Sequence, residues 1–114
     1  MTCKELNLKL IELLPEIKKM YEDETSWQEG DNTGSHTVFA DVFFPYIRYN
    51  LNDKKITEKN FNVIEKILEL HDDYADEVII LSVFENFFYE QDDIDKFKDF
   101  LGDLSKKIFE RFKL

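Results

Sequence analysis

Two observations predict an all-α fold for this chain: apolar residues recur at spacings of three and four along most of its length, and helix-capping residues stand where those stripes begin. A third observation bounds the answer. With 114 residues, 43% hydrophobic and 35% charged, and with eleven Phe to fill an interior, the chain has the size and composition of one globular domain. The expectation is a single domain over residues 1–114, a bundle of about five helices in antiparallel hairpins, resembling a helical repeat.

Thr2 followed by Glu5 fits a capping box, so the first helix starts almost at residue 1. Leu6, Leu10, Leu13, Ile17 and Met20 form its buried stripe. Pro15 has no N–H for the Ile11 carbonyl, which predicts a kink or two short helices. From Glu22 to Thr37 the periodicity stops, and two of the three glycines lie there. A structureless connection of that length is ordinarily functional or disordered.

The next element, about 38–51, places Phe39, Val42, Phe43, Tyr46 and Ile47 on one side. Helix is preferred over strand because the element is long for a strand. Thr57 is expected to cap the following helix, with Ile56 stapled onto Phe61 and with Phe61, Ile64, Ile67, Leu68 and His71 inward. Asp72 and Asp73 break that run. The segment 76–88 is apolar nearly all round, which marks a central helix, with a strand over 78–84 as its rival. Asp92 or Asp93 is expected to cap a last helix carrying Ile94, Phe97, Leu101, Leu104, Ile108 and Phe112 inward, with Lys106, Lys107 and Arg111 suiting its C-terminal dipole.

The net charge of −10 is unevenly placed. Residues 22–41 hold six acids and no Lys or Arg, and residues 72–99 hold ten acids against two bases. Such surfaces repel phosphate backbones and anionic lipid and attract basic proteins, so neither nucleic acid nor membrane is expected as a partner. The alternative is that the acids only keep a small protein soluble. The first twenty residues interleave charge with leucine, and the longest apolar stretch, 78–84, is far short of the roughly 20 residues of a membrane span. Together with a single cysteine, Cys3, this leads to an expected cytoplasmic location.

No cofactor, metal ligand set or catalytic residue is expected. The Glu-x-x-His spacing of di-iron bundles is absent, and neither an activated nucleophile nor a phosphate-binding glycine loop stands out. The doublet His71-Asp72 admits a minor alternative, a metal-dependent hydrolase, for which only His36 remains as a further imidazole ligand. His36 and Asp41, five apart, suit capping and loop-fixing roles better than ligation. The candidates for partner binding are Trp27, Asp31, Asp41, Asp76, Glu77, Glu85, Tyr89, Asp92, Asp93 and Asp95. Trp27 either anchors its loop on the core or stands ready for a partner. Glu85, on so apolar a helix, is either exposed along a narrow strip or paired inside.

Leu13-Leu14-Pro15-Glu16-Ile17 with Tyr21, then Trp27, His36-Thr37-Val38-Phe39-Ala40-Asp41, Asp76-Glu77-Val78 and Val83-Phe84-Glu85-Asn86 follow in an order that spans about three quarters of the chain. In this order the chain resembles a family of small, uncharacterised, all-helical bacterial proteins often encoded beside polymorphic toxin genes and regarded as immunity proteins. The resemblance implies a helical bundle with a protein-binding role. The leading expectation is therefore a non-catalytic module that neutralises a basic toxin domain through its acidic surfaces. The competing expectation is a structural or regulatory helical domain of unknown role, for which a homodimer is one form.

Overall fold

The structure, a computed structural model, describes residues 1–112; the side chain of Phe112, expected inward on the last helix, lies outside that description. Seven helices and no strand occur among the described residues. Helix α1 (Cys3–Leu13) opens with the capping box, Thr2 Oγ1 accepting from the Glu5 N–H at 3.1 Å and Glu5 Oε1 accepting from the Thr2 N–H at 2.8 Å. At Pro15 a 3-10 turn, Pro15–Ile17, separates α1 from α2 (Lys18–Thr25). The buried stripe also shifts by one residue on either side of the turn, while Ile17 within it stays buried. Leu14 and Tyr21 are buried where Leu13 and Met20 were expected, and Met20 is exposed.

The connection 26–34 is shorter and more ordered than the sequence pattern suggests. It contains a 3-10 turn, Gly30–Asn32, in which Gly30 takes a left-handed φ of 57° that a side chain would disfavour. Asn7 of α1, fully buried, holds it from inside. Its Nδ2 donates to the carbonyls of Thr33 at 2.7 Å and Asp31 at 3.1 Å, and its Oδ1 accepts from the Ser35 hydroxyl at 2.8 Å. A buried amide satisfied on both ends fixes a loop that has no core of its own.

Helix α3 spans 35–49 and carries a π-helical segment, Phe39–Phe43, between α-helical ends Ser35–Val38 and Phe44–Tyr49. Helix α4 (Lys54–Leu68) follows, and its N-cap is Asp53, not Thr57: Asp53 Oδ1 accepts from the Ile56 N–H at 3.1 Å. Thr57 lies inside the helix, buried, with its hydroxyl donating to the Asn50 carbonyl at 3.0 Å. The capping residue is thus the one with extended φ/ψ at the chain's turn, four residues earlier than the pattern indicated.

Helix α5 spans 73–87, α-helical over Asp73–Ile79 and Glu85–Phe87 and π-helical over Ile80–Phe84. Its N-cap is Asp72, whose Oδ1 accepts from the Ala75 N–H at 3.0 Å. His71, expected inward on α4, is instead exposed in the tight turn before that cap, at φ 50°. The turn is short, so α4 and α5 form the expected antiparallel hairpin. The last helix divides in two, α6 (Gln91–Phe97) and α7 (Asp103–Phe112), separated by a 3-10 turn, Lys98–Phe100, and Gly102. Asp92 and Asp93 lie within the first turn of α6 and do not cap it; its N-cap is Glu90, without a side-chain bond. The break displaces the inward register of α7 as well, so that Phe109 is buried and Ile108 only partly so.

Helix α4 is the hub, touching α1, α3, α5 and α7. Around it the phenylalanines close the core: Phe97 stacks on Phe61 with ring centroids 4.7 Å apart and meets Phe87 and Phe109, while Phe84 meets Phe109 edge-on. Helix α5 buries most of its surface and leaves one strip outside. Asp73, Glu77, Leu81 and Glu85, four residues apart, are all exposed, which decides the position of Glu85.

Candidate protein-docking groove

Along α2, Met20, Asp23 and Glu24 stand at i, i+3 and i+4 and so share a face; along α3, Asp41, Val42, Pro45, Tyr46 and Tyr49 form the facing stripe. Together with Asn50 they line an open groove of about 460 Å³. Pro45 leaves α3 one backbone donor short, and the π-helical turn just before it carries the Phe44 N–H to the Phe39 carbonyl, five residues back. The apolar part of the lining comes from Met20, Val42, Pro45 and the Tyr46 ring. Burial, and after it the nearby Glu16 carboxylate, raises the Tyr46 phenol above its usual range, so it stays neutral.

Three acidic residues, Asp23, Glu24 and Asp41, complete the lining with Asn50. Asp41 is exposed and has no hydrogen bond or ion pair among the described residues. Asp23 has only a loose surface contact with Lys19 at 3.7 Å, and Glu24 meets the Gln28 amide at 3.5 Å. Tyr49, 91% exposed, belongs to both this groove and an adjoining trough lined by Phe44, Pro45, Arg48 and Tyr49. Arg48 adds little positive charge there, because its Nε donates to Asp93 at 2.9 Å and a terminal nitrogen lies 3.8 Å from Glu90.

Of the ten residues named from sequence, only Asp41 lies in the groove, and Asp93 reaches its neighbourhood through Arg48. Trp27 is 71% exposed and Tyr89 85% exposed, so neither anchors the core. Asp31 is engaged in the loop, its carboxylate accepting from the Tyr21 hydroxyl at 2.6 Å; burial and then this bond push the Tyr21 phenol well up. Asp95 sits 3.7 Å from Lys98, and Glu77, Glu85 and Asp92 are exposed, their carboxylates without a partner among the described residues. Asp76 is half-buried with one carboxylate oxygen enclosed and unpartnered, and burial, followed by repulsion from Asp73, raises its carboxyl above the ordinary range. The sequence reading missed the α2 face, because Met20 was placed in the core and the acids beside it in a loop.

The histidines are occupied otherwise. His36 Nδ1 lies 2.8 Å from the Ser82 hydroxyl and its ring meets Tyr74 edge-on, joining α3 to α5 where their π-helical segments pack together. His71 turns the chain and Asp72 caps α5, which accounts for the doublet structurally. Among the described residues no group of three or more His, Cys, Asp or Glu could hold a metal ion, and no helix is long and apolar enough to cross a membrane.

A family model described as a domain of unknown function (DUF7674) matches residues 7–114. The chain belongs to that family. Comparison with curated proteins and with solved structures returned no match. The DUF7674 match takes in both walls of the groove, the loop held by Asn7 and both acidic segments.

Proposed function

We propose that this chain is a non-catalytic protein-binding module of the immunity type, which neutralises a basic toxin domain by covering it with acidic surface. The observation that carries the reading is where the exposed aromatics stand. Trp27 projects from the acidic segment 22–41 and Tyr89 from the acidic segment 72–99, and both rings are largely in solvent. Large amphipathic rings within a field of one sign combine two properties of binding surfaces: charge that speeds encounter, and anchors that slow departure. Solubility alone requires the charge and not the rings. A basic toxin, a nuclease above all, would meet carboxylates where it normally meets phosphates.

Coexpression tests this directly. The reading expects a basic toxin domain to be encoded beside the chain's gene; the chain is produced together with that domain, and growth rescue with a complex that survives purification is the expected result. Unchanged killing and no complex would reject the reading.

A further inference from the structure

We infer that the groove between α2 and α3 is the docking site for an arginine side chain of a protein partner, with an apolar residue next to that arginine seated in the adjoining trough. The inference rests on the protein-binding reading above and gives it a location and a chemistry. Three observations carry it. Asp23, Glu24 and Asp41 line the groove, and Asp41 has no internal cation to satisfy it. The rest of the lining is largely apolar and aromatic, which suits the methylene stem and flat guanidinium of arginine better than the compact, strongly hydrated ammonium of lysine. Tyr49, at 91% exposure, is available to lie against that guanidinium plane.

The adjoining trough of Phe44, Pro45, Arg48 and Tyr49 shares Pro45 and Tyr49 with the groove, so the two form one continuous surface. Arg48 would repel a basic segment if it were free. Its pairing with Asp93 and Glu90 removes that obstacle and leaves its stem as part of the apolar wall. A second copy of this chain is a poor occupant, since each copy carries a net charge of −10.

The test uses isotope-labelled full chain titrated with the acetylated and amidated peptide Gly-Arg-Leu-Gly, followed by amide chemical shifts. Controls replace the arginine by citrulline, its neutral isostere, or by lysine. The expected result is saturable shifts at Met20, Asp23, Glu24, Asp41, Val42, Tyr46 and Tyr49 with the arginine peptide, weaker with lysine and absent with citrulline. Asp41→Asn and Tyr49→Ala, both at exposed positions, should each weaken that binding roughly two- to fivefold, as loss of an exposed charge or ring contact does. Shifts that fall instead on 72–99, that are equal with citrulline, or that arise on concentrating the chain alone would overturn the inference. Its failure is separable from failure of the functional reading. A complex and toxin rescue that persist while the arginine peptide shifts none of the groove residues reject the groove and leave the immunity reading standing, whereas arginine-specific shifts without any rescue reject the immunity reading and leave the groove.

Discussion

At Asp76 a carboxylate oxygen is enclosed without a donor, and burial raises its carboxyl above the usual range. The sign of the consequence follows from linkage. The folded state holds the proton more tightly than the unfolded chain, so the favourable contribution is complete below the ordinary carboxyl value and is lost as pH rises through the raised one. At neutral pH the ionised group is a cost. Asp76→Asn should therefore raise the melting temperature at pH 7, and the gain should shrink as pH falls to about 3, below the ordinary carboxyl value of about 3.9. A gain of equal size at both pH values would contradict the explanation. Trp27 poses the opposite case, a large ring with little to lose on truncation. Trp27→Ala should change stability by no more than about 0.5 kcal/mol in urea titration. It should weaken a complex with the basic partner by more than about 1 kcal/mol if the ring is an anchor.

Helix α7 illustrates how an element can depend on a residue far away in sequence. Glu65 of α4 places one carboxylate oxygen 2.7 Å from the Leu104 N–H and the other 3.2 Å from the Ser105 N–H and 2.9 Å from the Ser105 hydroxyl. These are the unpaired donors of the first turn of α7, met by a charge the helix dipole favours. Gly102 completes the arrangement, since a Cβ there would run into the Glu65 side chain. Glu65→Ala should cost about 2 kcal/mol and speed hydrogen exchange through α7 before the rest of the molecule opens. Gly102→Ala should do the same by displacing the carboxylate, and exchange in α7 that is unaltered by either change would show that the Phe109 packing alone holds the helix.

For the molecule as a whole, charge should act on association more than on folding. Asp92 is exposed and without a partner among the described residues, so Asp92→Asn should leave stability within about 0.5 kcal/mol. Asp93, 13% exposed and bonded to Arg48, joins α6 to α3, and Asp93→Asn should cost up to about 1 kcal/mol. Both changes should slow association with the basic partner and flatten its salt dependence, because exposed charges are screened beyond about 10 Å at 0.1 M salt. Stopped-flow association across a salt series reads both effects. Rates indifferent to salt and to both substitutions would mean that the 72–99 acids are only a solvated surface.

The sequence by itself determined what depends on neighbours within a turn or two. The capping box at Thr2 and Glu5, the interruption at Pro15, a helix expected over about 38–51 and found over 35–49, and the α4–α5 hairpin were legible because local hydrogen bonds and a 3.6-residue period decide them. The all-α class followed from the same signals. Two departures from that reading depend on a distant residue: buried Asn7 orders 30–35, and Glu65 allows α7 to start anew after Gly102. A third is local, a shift of the buried stripe at Pro15 that leaves Tyr21 inward and Met20 out. The groove lay beyond the sequence for the same reason as the first two. Its walls come from helices on either side of a nine-residue connection, 26–34, and side chains so separated share a surface only once tertiary packing has set which face of each helix turns outward.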